Sequence, residues 1–257
     1  MCRLAAYIGP AIPLQNIVAS PAHSLLHQSM AASEALLPLN GDGFGICWYG
    51  PDAEPGRYVE TMPAWSDSNL KSICRLIQAP IFLAHVRAST IGETMRANCH
   101  PFVFKQWSFM HNGNIPHINR IRRRLESILP DEVYAQRQGT TDSEMFFQLL
   151  LAYGIENDVK TAWSRAISAV LADHQSIDRP VRIVCVLSDG HQLYAFRYST
   201  DRKSPSLYHS VALDNDGFAF ASEPLDACKG NWKLIPENSY AVINNLGVSL
   251  SPLDHSG

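Results

Sequence analysis

A cysteine directly follows the initiator methionine in the opening run "MCRLAAYIG". Removal of Met1 would leave a thiol and an α-amino group on one residue, Cys2. A thiol ionises at about 8.5 and an α-amino group at about 7.7 to 8.0, so the neutral amine is matched to take the thiol proton, directly or through water. One residue would then supply both nucleophile and base, with no histidine required. A cysteine standing at position two by chance is the alternative.

Other side chains suit the same chemistry. In "AHVRAST", Arg87 lies at the end of an apolar run with Ser89 and Thr90 behind it, where a guanidinium could clamp a carboxylate through two hydrogen bonds; a surface ion pair is the competing reading. In "MHNGNI", Asn112 and Gly113 read either as a turn or as paired amide donors for the negative oxygen of an acyl-transfer intermediate. Asp142, in "TTDSE", suits the first turn of a helix, where the dipole favours a carboxylate, and would equally bind an ammonium group. His23 and His27 in "HSLLH" have metal-ligand spacing on a helix, but the HExxH glutamate and a third ligand are missing, so no metal is expected. His100 in "NCHPF" reads as an interior histidine.

These residues need a frame. Short apolar runs bounded by turn residues read as strands: "GFGICWY" from Gly43, "IFLAHVR" from Ile81 and "WSFMHNG" from Trp107. Later runs pair as hairpins, with "VRIVCVL" and "QLYAFRY" around "SDGH", "LYHSVAL" and "GFAFASE" around "DND", and "YAVIN" before "NLG". Between the groups, "TTDSEMFFQLLLAYG" predicts a helix with a Thr141–Glu144 capping box and a stop at Gly154, and a second helix is expected over 158–172. Strand groups flanking helices predict an α+β layered domain.

Composition sets the remaining bounds. The 257 residues, 46% hydrophobic and 18% charged, can bury a large core, and no apolar run approaches the roughly 20 residues that span a bilayer. Pro10 and Pro13 interrupt the N-terminal apolar run, no signal peptide is read, and six scattered cysteines without a CxxC pair fit a reducing, cytoplasmic setting. A net charge of -3 gives no general attraction to polyanions; the one basic run, Arg120 to Arg124, reads as a solvated helix face, so neither nucleic acid nor membrane is an expected partner.

The ordered set "MCR", "NGDGFG", "AHVRAST", "NCHPF", "HNGNI", "TTDSE" and "ASEPLD", from Cys2 to Asp226, resembles the class II glutamine amidotransferase family of N-terminal nucleophile hydrolases. The resemblance implies a four-layer αββα sandwich filling 1–257 as a single domain, with the mature chain starting at residue 2. It implies Cys2 as nucleophile, Asn112 and Gly113 as oxyanion donors, Arg87 on the substrate α-carboxylate and Asp142 on its α-amino group, with Thr90 and His111 nearby. Where many members carry "RWATHG", this chain has "RASTIG", with Ile91 in place of a histidine. The opening, "ASEPLD" and the short length are similar to the standalone branch that includes γ-glutamyl hydrolases of ergothioneine biosynthesis. The expected activity is cleavage of glutamine or a γ-glutamyl amide through a cysteine thioester, without cofactor or metal. An ammonia-supplying subunit of a larger synthase and a non-catalytic amino-acid-binding module are the alternatives, and a synthase subunit or a second copy of the chain would be the protein partner.

Overall fold

In the computed structural model, which describes residues 2–34, 38–88, 93–172, 179–211, 213–227, 230–244 and 246–253, the strand-forming runs assemble into two sheets. In chain order the first elements are β1 (Arg3–Pro13), α1 (Gln15–Val18), α2 (Leu25–Ala31), β2 (Phe44–Trp48), β3 (Gly56–Glu60), α3 (Ser68–Leu76) and β4 (Gln78–Val86). Next come β5 (Phe102–Phe104), β6 (Trp107–Asn114), α4 (Ile118–Glu126), α5 (Asp131–Ala135), α6 (Asp142–Ala152) and α7 (Val159–Leu171). The chain closes with β7 (Arg182–Ser188), β8 (Leu193–Ser199), β9 (Tyr208–Ser210), β10 (Phe218–Ala221), β11 (Trp232–Leu234), β12 (Ser239–Asn244) and β13 (Gly247–Pro252). One sheet has the order β11-β9-β10-β1-β4-β2-β3 and the other β13-β12-β8-β7-β6-β5. Every pairing among the described residues is antiparallel, and the alternation of side chains along each strand sends them to the two faces of its sheet.

Three apolar layers result. Ile17, Leu25 and Leu70 of α1, α2 and α3 pack on Tyr7, Phe82 and Ala84 of the first sheet. Phe146, Leu149, Trp163 and Ile167 of α6 and α7 pack on Phe109, Ile183 and Phe196 of the second, with Trp163 stacked 4.9 Å from Phe196. The inner faces meet through Leu4, Ala6, Leu83, Met110, Val184 and Ala195. This is the four-layer αββα sandwich that the resemblance implied.

The helix signals correspond closely to the elements. Thr141 caps α6, its Oγ1 accepting from the Glu144 N–H at 3.1 Å. The capping box is only half formed, because the Glu144 carboxylate accepts instead from the Gln138 and Gly139 N–H groups, both at 2.8 Å. Asp158 caps α7, and Gly154, at φ +78°, ends the α6 segment as a C-terminal glycine should. The basic run lies in α4, where Arg122 donates to the Thr140 carbonyl at 2.6 Å.

One strand was not read from the sequence, and one pair of alternatives is decided. The prolines of the first apolar run do not prevent a strand there: Arg3–Ile8 pair with β4 and Ala5–Ile8 with β10, while Pro10 and Pro13 fall beyond Ile8, where the β1–β4 register shifts and the strand is no longer fully buried. Asn112 and Gly113 do not make a turn. They lie extended in β6, opposite Val184 and Ile183 of β7.

Candidate active site

β1 and β4 run antiparallel with Arg3 opposite Val86, so the residues just beyond each strand end, Cys2 and Arg87–Ala88, are brought side by side. The Ala88 N–H points to Cys2 Sγ at 3.4 Å, and Sγ lies 3.6 Å from the Ala88 carbonyl. Burial pushes the Cys2 thiol above its ordinary pKa, opposed in part by the Ala88 backbone and by the positive charges of Arg87 and Arg3.

Arg87 is 4% exposed, which excludes the surface ion pair. The "NGDGFG" loop holds it: the Arg87 N–H donates to the Gly43 carbonyl at 2.8 Å, the Asp42 N–H donates to the Arg87 carbonyl at 3.0 Å, and the guanidinium donates to the Asp42 carbonyl at 3.4 Å. Gly43 adopts φ +114°, and a Cβ there would stand 2.7 Å from Cys99 Sγ, so only glycine allows this wrap.

From the second sheet, β6 contributes His111, Asn112 and Gly113 on alternating faces. Asn112 is in step with Met110 and paired with Val184, both in the layer between the sheets; Cys2, two residues before Leu4, shares that inner layer's alternation. Asn112 is 1% exposed, yet among the described residues no group bonds to either end of its side-chain amide. Gly113 is pressed against β7, where a Cβ would lie 2.0 Å from the Arg182 carbonyl oxygen.

His111 faces the helix layer. Its Nδ1 meets Ser143 Oγ at 2.8 Å and its Nε2 lies 3.4 Å from the Arg182 carbonyl. Burial lowers its pKa, opposed by the neighbouring Asp142 carboxylate. Asp142, at the start of α6, accepts from the Ile115 N–H at 2.8 Å and from the Ser143 N–H at 2.9 Å, tying the helix start to the end of β6. The fold therefore joins Cys2 with Arg87 at one strand end and His111, Asn112, Gly113 and Asp142 at another. Thr90 lies outside the described residues.

Two groups of buried polar residues were not singled out from the sequence as site residues. His85 and His100 stack with ring centroids 4.2 Å apart, and burial pushes His85 down to about 3 and His100 well below the ordinary histidine value, so both are neutral. Arg3 and Glu223 form an ion pair of 3.0 Å beneath β1. A charged residue inside each of two apolar runs was the available signal, since a buried charge demands a partner. His23 precedes α2 rather than sharing a helix with His27, and its Nε2 meets Glu223 at 2.7 Å. Among the described residues no cluster of metal-binding side chains occurs, and no helix is long and apolar enough to cross a membrane.

A family model described as class-II glutamine amidotransferases matches residues 15–219, a span that includes Arg87, Asn112, Gly113 and Asp142. The probable glutamine amidotransferase DUG3 of Saccharomyces cerevisiae is 30% identical, over 98% of this chain and 84% of its own length. The gamma-glutamyl-hercynylcysteine sulfoxide hydrolase of Mycolicibacterium smegmatis is 27% identical, over 98% of this chain and 100% of its own. Among solved structures, a glutamine aminotransferase class-II domain protein from Silicibacter pomeroyi aligns with a TM-score of 0.78 at 30% identity, covering 99% of this chain and 100% of that one.

Proposed function

The chain belongs to the class II glutamine amidotransferases, and on that premise we propose that it hydrolyses glutamine or a γ-glutamyl amide through a thioester on Cys2. In this reading residues 1–257 act as one such domain, and Met1 is removed so that the mature chain starts at Cys2. The supporting observation is the seating of the Cys2 sulfur against the Ala88 N–H, one residue beyond the buried Arg87.

Burial that raises the thiol pKa makes a local base necessary, and the Cys2 α-amine supplies it. Sγ attacks the substrate δ-carbonyl as its proton passes to the α-amine. The tetrahedral intermediate's oxygen takes hydrogen bonds from the Asn112 side-chain amide and the Gly113 backbone N–H. The C–N bond then breaks, the leaving amine or ammonia departs with the proton held by the α-amine, and the acyl group remains on sulfur. Water attacks the thioester, its proton returns through the amine to Sγ, and glutamate leaves. Arg87 holds the α-carboxylate and Asp142 the α-ammonium, with His111 and Thr90 beside them.

The test is a screen of γ-glutamyl compounds, glutamine included, with mass-spectrometric detection of products from the purified chain. Glutamate release that disappears in Cys2→Ala is the expected result, with an intact mass one methionine lighter than encoded. Release only after addition of a second subunit would overturn the standalone reading, and ligand binding without turnover would overturn hydrolysis.

A further inference from the structure

We propose that Arg3 and Glu223 are a positioning pair that fixes the nucleophile-bearing end of β1, an inference that rests on Cys2 being the nucleophile. A first residue has lost the peptide bond on its N-terminal side, and chain ends fray unless tied down. Once Met1 is gone, the orientation of Cys2 depends on its own carbonyl and on what touches its sulfur. Arg3 Nε donates to that carbonyl at 2.7 Å.

The guanidinium is itself held. Arg3 is fully buried, and its Nη1 donates to Glu223 Oε1 at 3.0 Å. Glu223 Oε1 also accepts from the Glu34 N–H at 2.9 Å, while Oε2 accepts from the Ser33 N–H at 3.0 Å and meets His23 Nε2 at 2.7 Å. A carboxylate offers about four acceptor directions, so four partners leave it no freedom to swing. The preceding residue completes the clasp: the Ser222 N–H donates to the Leu4 carbonyl at 2.9 Å, and the Leu4 N–H donates to Ser222 Oγ at 3.0 Å.

Strand alternation sends the Arg3 side chain to the helix-covered face, opposite that of Cys2, so the pair acts through Cys2 and not on substrate. A buried ion pair is often replaceable by apolar residues without loss of stability, which makes stability alone a weak reason for two charges here. The fork of the guanidinium, one arm on a carboxylate and another on the Cys2 carbonyl, is what an apolar substitute or a lysine cannot reproduce.

Arg3→Lys separates the two functions, because an ammonium can still pair with Glu223 while losing the fixed second donor. The expected result is a kcat lowered by about tenfold to a hundredfold with KM within about twofold. Independently of turnover, alkylation of Cys2 by iodoacetamide, followed by intact mass across pH, should speed up and shift toward the midpoint of an ordinary exposed thiol. A folded Arg3→Lys with wild-type kcat and alkylation profile would overturn the proposal. If that variant does not fold, Arg3→Met/Glu223→Met, which removes both buried charges, is read in the same way. Failure of the wild-type chain to release glutamate from any γ-glutamyl compound would remove the hydrolase reading, and the alkylation profile would still decide the anchoring.

Discussion

Replacing Asn112 with alanine separates catalysis from stability. In the proposed reaction its amide donates to the developing oxyanion, and loss of one such donor typically lowers turnover about 100- to 1,000-fold, or about 2.7 to 4 kcal/mol. In the resting protein the same amide is buried without a described partner at either end. A buried polar group in that state costs about 1 to 3 kcal/mol, so its removal relieves a penalty while opening a small cavity whose cost is of similar size. The two nearly cancel. Asn112→Ala should therefore lose two to three orders of magnitude in kcat with a melting temperature within about 4 °C of wild type. Steady-state kinetics on the best γ-glutamyl substrate and scanning calorimetry measure both quantities. A kcat within about tenfold of wild type would refute the donor role, and a fall in melting temperature of about 10 °C would show that the amide is a structural bond instead.

Further outcomes follow from the same geometry. Gly113→Ala places a Cβ 2.0 Å from the Arg182 carbonyl, so β6 must shift from β7; urea unfolding should register a loss of at least about 2 kcal/mol alongside lost activity. Asp142→Asn keeps an acceptor for one of the two backbone N–H groups but removes the charge, and should raise KM for the α-amino substrate at least about tenfold, whereas an unchanged KM would end the ammonium role. Arg87→Ala should raise KM by a similar factor, about tenfold or more, and a rise no larger than that of a distant surface variant would remove the clamp. His85, held neutral down to about 3 where an unfolded histidine titrates at about 6.5, leaves the unfolded chain binding the extra proton in between. Its contribution to stability is thus complete above that upper value and falls as pH drops toward the lower one, by up to about 1.4 kcal/mol per unit. His85→Gln should flatten the acid limb of the unfolding curve, as followed by circular dichroism.

Local signals sufficed wherever a residue's role is set by its near neighbours. The Thr141 cap announced α6 and the apolar repeat over 158–172 announced α7, because a cap and a 3.6-residue apolar repeat are both short-range properties. Asn112–Gly113 misled for the same reason: the dipeptide favours a turn, but pairing along the whole of β6 with β7 overrides that preference. β1 was hidden because Arg3 to Ile8 are buried on both faces and show no alternation, while the prolines that suggested interruption lie beyond the fully buried part. The motifs naming Cys2, Arg87 and Asp142 were legible, yet the clasp of Arg3 by Glu223 joins residues 220 positions apart, and nothing periodic links them. His85 and His100 became neighbours only when β4 and the segment before β5 converged.

β1 lies between β10 and β4, inside its sheet rather than at a margin. Interior strands open only when a whole cooperative unit opens, so the strand next to Cys2 opens with its sheet and not on its own. Heat or denaturant should consequently extinguish turnover and global structure along one curve, and amide exchange through Leu4–Ile8 should be among the slowest in the chain. In the proposed reaction, peptide added ahead of Cys2 would remove the free α-amine, so an amino-terminal tag should abolish turnover while leaving this interior strand in place.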